Sequence, residues 1–372
     1  MRHEEEVEFR SWIRSGLVKV APLARTRILT ETRDGDSADL WADVTGLDVL
    51  GLVVSEAWGG GNMSAAGLGV FLEEAGRCLL PVPYFGGTAL VPIALRWAGV
   101  EEENGQLLGA IANGRTRVGF AIGTPTLVAS PVDTATSSGW SLTGVLPSVV
   151  DGDLADQLLV VAEFGGKEVL FLVDAGSGVT VDRLQPLDPS RPVARVTLRE
   201  APGRALGDVS DGPSLVARTR DLLRLGLAAD SVGGSRRLLE MCVEYATTRV
   251  QFGRPIGEFQ SIKHRCADLF VGVEAAAASV EAAFTELDDW GRVRPASASV
   301  AFIHAQETYW LAARTAMQIH GALSLTREHE THLYVKRATS SAHLLGNPDL
   351  ELSRLAGVVL EDGYDVVAEL IG

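Results

Sequence analysis

Apolar residues recur at helical spacing toward both ends of the chain and at strand spacing in the middle. Phe9, Trp12, Ile13 and Leu17 predict a helix over Val7 to Val20, and Trp41 to Leu47 and Ala65 to Leu80 predict two more. Glu56-Ala-Trp-Gly-Gly-Gly-Asn62 is a turn between them. Leu90 to Ala98 and Asn104 to Asn113 complete a small bundle. Near Thr116 the period changes. Arg117 to Gly123, Trp140 to Gly144, Gln157 to Glu163, Glu168 to Asp174 and Ala194 to Arg199 are short, rich in Val, Leu and Phe, and punctuated by Gly, Pro, Ser and Asp, which predicts hairpins. From Pro213 the helical pattern returns, with Ser214 as an N-cap. Leu215 to Thr248, Ile256 to Leu287, Pro295 to Ile319 and Leu350 to Ile371 then read as the long helices of a bundle. The expected fold class is α+β, in three segments: an N-terminal helical bundle over 1–115, a middle β-barrel-like domain over 116–211 and a C-terminal four-helix bundle over 212–372.

A chain of 372 residues can bury a large core. Its net charge of −15 shows no basic stripe, so no nucleic-acid partner is expected. No apolar run reaches the roughly 18 residues of a membrane span, and the acidic N-terminus lacks the apolar core of a signal peptide. Cys78, Cys242 and Cys266 are widely spaced and form no CxxC pair, which argues against a zinc site and fits a reducing, cytoplasmic setting.

The most informative stretch is Tyr245-Ala-Thr-Thr-Arg-Val-Gln-Phe-Gly-Arg-Pro-Ile-Gly-Glu-Phe-Gln260. Arg249 offers a planar fork of donors that matches a phosphate and stays charged at any working pH. Gly253 and Gly257 let the backbone turn closely, Phe252 can pack on a flat heterocycle, and a helix starting near Glu258 presents free N–H groups that favour anions. From this stretch alone, an anion site and a capped helix hairpin with an exposed arginine are both open readings.

The stretch resembles the central signature of the acyl-CoA dehydrogenase family. Trp58-Gly-Gly-Gly61, Glu73-Glu-Ala-Gly-Arg77, Asp188-Pro-Ser-Arg191 and Gln318-Ile-His-Gly-Ala322 resemble further motifs of that family, in the same order along nearly the whole chain. The resemblance implies the acyl-CoA dehydrogenase fold and FAD as cofactor. It implies that Arg249, Gln251, Phe252 and Gln260, with Gln318, Ile319, Gly321 and Ala322, contact the ADP part of an FAD held mainly by a neighbouring subunit. Ala322 stands where the family has its last glycine, and His320 reads as a buried, hydrogen-bonded ring.

The family's reaction needs a glutamate to take the α-proton of an acyl-CoA. One of its two family positions falls here at Leu345, before Gly346, and the other at Leu223, beside Arg224; leucine accepts no proton. The family's Thr-Glu-Pro loop at the flavin ring is matched by Gly123-Thr-Pro-Thr126, and the segment over the flavin reads Leu146-Pro-Ser-Val-Val-Asp151. The losses lie at the chemical end and the matches at the nucleotide end. That pattern resembles the second subunit of actinobacterial heterotetrameric acyl-CoA dehydrogenases of steroid side-chain breakdown. The implied partners are a paralogous subunit carrying the catalytic Glu, an acyl-CoA substrate and electron-transfer flavoprotein as acceptor, with no catalytic residue in this chain. Two alternatives stand beside it: a self-sufficient enzyme with a displaced base, Asp221 or Asp230, and a non-redox structural or binding member of the family.

Other clusters invite blander readings. Thr326-Arg-Glu-His-Glu-Thr-His332 looks metal-like but lacks a third ligand at fixed spacing, so an exposed helix start and no metal site are expected. Arg236-Arg237 and Lys336-Arg337 read as solvated faces or intersubunit pairs, and no nucleophile elbow occurs.

Overall fold

The computed structural model describes residues 3–32, 38–134, 137–346 and 348–361. They form two compact units. One contains the described residues up to Ile28, Ala65–Leu80 and those from Arg224 onward; the other contains those of Leu29–Ser64 and Pro81–Leu223. Helices come first: α1 (His3–Val20), α2 (Leu23–Thr32), α3 (Ala38–Thr45), α4 (Ala65–Arg77), α5 (Val91–Trp97) and α6 (Gly105–Ala112). Strands follow: β1 (Val118–Ala121), β2 (Leu127–Thr134), β3 (Ser137–Val150), β4 (Gln157–Phe164), β5 (Lys167–Asp174), β6 (Val179–Arg183) and β7 (Val193–Ala205). The long α7 (Gly212–Thr248), a small hairpin of β8 (Val250–Gln251) and β9 (Arg254–Pro255), and helices α8 (Gln260–Trp290), α9 (Pro295–His320), α10 (Thr331–His343) and α11 (Pro348–Glu361) complete the chain. N-terminal helices, central sheet and C-terminal helices follow the order expected from the sequence. The last helix is described as far as Glu361; its expected continuation to Ile371 lies outside the described residues.

The sheet orders its strands β1-β3-β2-β4-β5-β7-β6, and β3 also pairs with β7. The ladder β3-β2-β4-β5-β7 therefore closes on itself, which is the physical content of the barrel-like expectation. Its inner face follows a period of two: Leu158, Val160 and Ala162 on β4, Val169, Phe171 and Val173 on β5, and Ala194, Val196 and Leu198 on β7 meet in one core. Leu159, Val161, Leu170 and Leu172 on the opposite face are buried too, which explains why β4 and β5 read as continuous apolar runs.

Besides the short β8–β9 hairpin, three elements escaped the sequence reading (α2, β2 and β6), and of α10 only a start was expected. On α2 the buried face carries Thr26 and Thr30, and on α10 Thr331, Arg337 and Ser341 interrupt the buried Leu333, Tyr334 and Ala338, so neither helix shows a clean apolar period. Strand β2 contains Pro131 and exposes Val128 and Val132, and β6 is an edge strand with little burial.

In the helical unit, α4 crosses α7 with almost no separation. A Cβ on Gly76 would lie 2.1 Å from the Asp230 carbonyl oxygen, and one on Gly233 would lie 1.8 Å from the Glu73 carbonyl oxygen. The two glycines are reciprocal notches, which gives the Glu73-Glu-Ala-Gly-Arg77 motif its packing meaning. Its charges are matched around the crossing. Arg14 grips Glu74 through Nε and Nη2 at 2.9 and 2.7 Å. Arg10 and Arg236 each reach Glu73 at 2.8 Å, and Arg77 binds both oxygens of Glu240 at 2.5 Å. Arg236, Arg237 and Arg337 of the two basic spots thus have partners inside the chain. Arg236 also pairs with Glu274 and Arg237 with Glu240 and Glu244, inside the chain. Arg337, 1% exposed, donates to Asp230 at 2.9 Å. Adjacent helical residues point about 100° apart, so Arg337 enters the core while Lys336 stays half-exposed.

Gly233→Ala tests the notch. Overpacking against a backbone carbonyl costs about 1–3 kcal/mol, so the urea midpoint falls. Gly272→Ala on α8, whose Cβ would meet Thr308 at an ordinary 3.7 Å, is the control: it leaves stability unchanged or raises it by up to about 1 kcal/mol through helix propensity.

Candidate functional site

At the end of α7 the chain makes a tight hairpin. The Arg249 N–H donates to the Tyr245 carbonyl at 2.9 Å, and β8 pairs with β9 in the register Val250↔Pro255 and Gln251↔Arg254. The two linking residues, Phe252 and Gly253, have φ of 54° and 77°, a type I′ turn. Glycine adopts this geometry freely. For a bulky aromatic it costs about 1–2 kcal/mol. The ring lies 91% exposed, edge-on to Phe259 with 6.1 Å between centroids. Arg249, Gln251 and Gln260 are exposed as well. Among the described residues no ion pair or side-chain hydrogen bond engages the Arg249 guanidinium, whereas Arg254 lies 4.3 Å over the Phe259 ring. The helix expected to start near Glu258 starts at Gln260, after a 3₁₀ turn over Ile256–Glu258. Gly257 abuts α7, where a Cβ would meet the Ala246 carbonyl oxygen at 2.9 Å.

The second predicted segment closes α9. Gly321 has φ 60° and ψ −136°, a region essentially restricted to glycine. Ala322 has no positive φ, so its backbone needs no second glycine. Gln318, Gly321 and Ala322 are exposed and Ile319 is buried. The two segments meet through aromatic stacking: Tyr245 of α7 and His320 of α9 lie 4.6 Å apart at 28°. His320 donates from Nδ1 to the Ala316 carbonyl at 2.8 Å. Burial holds its pKa below the usual histidine value, outweighing hydrogen bonds to the Ala316 and Met241 backbones that favour the cation. It is the buried, hydrogen-bonded ring that the sequence led us to expect.

At the two places where a base was sought, the structure offers hydrocarbon. Leu223 is buried and Leu345 half-exposed. Asp230 is fully buried against Arg337, and Asp221 is buried. The sequence reading missed another carboxylate, Glu351 on α11. Arg224, the neighbour of Leu223, donates to both its oxygens at 2.7 and 2.8 Å, and both residues are buried. Only the acidic start of α11 hinted at it. The Gly123 loop is pinned in its own unit. Arg220 donates to the Ile122 and Gly123 carbonyls at 2.8 and 2.6 Å while gripping both oxygens of Glu168 at 2.6 and 2.9 Å.

Burial pushes the Cys78 and Cys242 thiols up to about 12, so neither is a nucleophile near neutral pH. Among the described residues no group of His, Cys, Asp and Glu could hold a metal ion, and no helix is long and apolar enough to cross a membrane.

Known proteins place this architecture. Residues 3–115 match the acyl-CoA dehydrogenase N-terminal domain and residues 210–360 match the acyl-CoA dehydrogenase C-terminal domain. Acyl-CoA dehydrogenase IpdE2 of Mycobacterium tuberculosis is 33% identical over 359 residues, covering 96% of this chain and 98% of its own. Among solved structures, the Tcur3481-Tcur3483 steroid ACAD superposes with a TM-score of 0.85 at 28% identity, over 96% of this chain and 98% of the other. The ChsE4-ChsE5 complex of Mycobacterium tuberculosis superposes with a TM-score of 0.83 at 25% identity, over 96% of this chain and 97% of the other. In sequence, in element order and in fold, the chain belongs to the acyl-CoA dehydrogenase family.

Proposed function

We propose that this chain is the non-catalytic subunit of a heteromeric, FAD-dependent acyl-CoA dehydrogenase. It completes the ADP side of a shared FAD site while a paralogous partner supplies the catalytic Glu. The observation that carries the reading is the exposed guanidinium of Arg249, unengaged among the described residues, on a hairpin fixed by a type I′ turn. A cation held ready but unmatched suits a ligand anion, and a pyrophosphate accepts its fork of donors.

FAD is the family's cofactor, and the residues of this half-site fit its dinucleotide end. Arg249 binds the pyrophosphate, Gln251, Gln260 and Gln318 offer amides, and Phe252 offers an aromatic face. Ile319, Gly321 and Ala322 bring the second turn alongside through the Tyr245–His320 stack. Bound FAD supplies the hydride acceptor for α,β-desaturation of an acyl-CoA thioester.

The residues at the chemical end do not fit. Leu223 and Leu345 hold no proton, Asp230 is held by Arg337, and both oxygens of Glu351 are held by Arg224. The Gly123 loop turns its carbonyls to Arg220. These contacts argue against Asp230 or Glu351 as a displaced base and for a second subunit. Two relatives whose names pair two proteins, one of them called a steroid ACAD, support the heteromer and a steroid-derived acyl chain. The acceptor of the electrons is then electron-transfer flavoprotein, in the cytoplasm.

Purification decides between the readings. The chain alone is expected to be colourless and inactive. Co-expressed with a Glu-bearing paralogue, it forms a yellow complex that reduces a flavoprotein dye with acyl-CoA. A yellow, active preparation of the chain alone overturns the heteromeric reading. Absence of flavin from every pairing overturns FAD binding. In the complex, Arg249→Ala weakens FAD binding by about 10- to 100-fold, the worth of a charged hydrogen bond, and Arg249→Lys recovers part of it.

Phe252→Asn separates the site from the fold. Asparagine tolerates positive φ, so the isolated chain becomes more stable by about 1 kcal/mol in denaturant titration, while the complex binds FAD less tightly.

A further inference from the structure

The turn after α9 and the start of α10 are joined by a second histidine that the FAD reading does not use. His329 tilts against His320 with 4.5 Å between ring centroids, so Tyr245, His320 and His329 form a column from the end of α7 to the start of α10. The Nδ1 of His329 accepts the Thr331 backbone N–H at 3.3 Å and also contacts the Thr331 hydroxyl. Thr331 is fully buried and is the first residue of α10. Helix N-termini leave N–H groups without partners, and here an imidazole satisfies one.

We propose that His329 is a positioning residue for the nucleotide half-site: as a neutral acceptor it caps α10 and, packed on His320, holds the Gln318–Ala322 turn against Tyr245. This rests on the reading of that half-site as FAD-binding.

The geometry requires a neutral ring. A proton on Nδ1 turns an acceptor toward an N–H donor and places a cation at the positive end of a helix. A second cation would also sit against His320. The groups around the pair do not reverse this. Burial lowers the His329 pKa first, then His320 and His332 do so, while Glu330 opposes them. From α2, Arg27 binds the Glu328 carbonyl oxygen and lies 4.0 Å from the Glu330 carboxylate, which tempers that anion. His332 donates from Nδ1 to the His329 carbonyl at 2.7 Å. Both column histidines titrate below their ordinary value. The unfolded chain therefore takes up these protons first as pH falls. The column is intact above about pH 6.5 and loosens progressively below it.

The test uses the co-expressed complex. After removal of flavin, FAD binding is titrated by fluorescence between pH 8 and 5.5. Native complex loses about fivefold in affinity below pH 6.5, the worth of a lost cap. His329→Asn keeps a side-chain acceptor that does not titrate, so it keeps the affinity at pH 8 and reduces the acid loss to the share that His320 contributes. His329→Phe keeps a ring without an acceptor and binds about fivefold more weakly at every pH. Amide hydrogen exchange of residues 318–331 in the chain alone reads the same joint without FAD: acid opens it more in the native chain than in His329→Asn. An acid drop undiminished in His329→Asn, or a His329→Phe complex indistinguishable from native, overturns the proposal. If Arg249→Ala leaves FAD affinity unchanged, the half-site reading fails and takes the positioning role with it. If Arg249→Ala weakens binding and the His329 variants do not, the FAD reading stands and the His329 proposal alone falls.

Discussion

The helical unit depends on the crossing of α4 and α7, where Gly76 and Gly233 let two backbones touch. Helix α7, with 37 residues, is about 55 Å long, and it carries Arg224, Asp230, Tyr245 and the strand-turn that presents Arg249. A helix this long keeps its far end in place only if it is seated along its length. The notch seats it near Gly233, Tyr309 fills the space left by Gly234, and the Tyr245–His320 stack seats its end. Fine placement of the hairpin is thus inherited from packing roughly fifteen residues upstream.

Such close approach buries charge, and the structure tolerates that charge by pairing it. Glu74 faces Arg14, Asp230 faces Arg337, and Glu351 faces Arg224. A buried pair adds little net stability, but removing one partner leaves a stranded charge, which costs about 3–5 kcal/mol. This constraint bears directly on chemistry. A general base must be able to gain and lose a proton at a substrate atom. Carboxylates committed to guanidinium partners inside the fold are poor candidates. Arg249 is the converse: a cation for which the fold provides no partner among the described residues.

Elements announced by apolar periodicity were legible in the sequence, and those built on other contacts were not. Leu238, Met241 and Cys242 on α7, and Tyr309, Ala312, Ala313 and Ala316 on α9, keep helical spacing and meet in one core. On α10 the inward Leu333, Tyr334 and Ala338 are interrupted by the equally buried Thr331, Arg337 and Ser341, so only a helix start near Thr326 to His332 was legible. Residues of the candidate site were legible through a family resemblance, because an exposed hairpin has no burial pattern of its own. The Arg224–Glu351 pair was invisible, since nothing in one sequence links residues 127 apart.

Phe252 holds a positive φ that glycine or asparagine would hold at less cost, and its ring is almost wholly exposed. Its contact with Phe259 is a single edge-on approach at 6.1 Å, too little to offset about 1–2 kcal/mol of backbone strain together with an exposed apolar ring. Within this chain, therefore, the residue is a net cost. Strain of this kind persists where something outside the local structure uses it. An exposed aromatic ring on the same hairpin as an exposed arginine suits the proposed recognition of a planar, anionic molecule or of a subunit that holds one. On the proposed reading the chain presents the dinucleotide half of a site, and among the described residues the two family base positions are leucines. A protein organised in that way makes physical sense as one member of a pair.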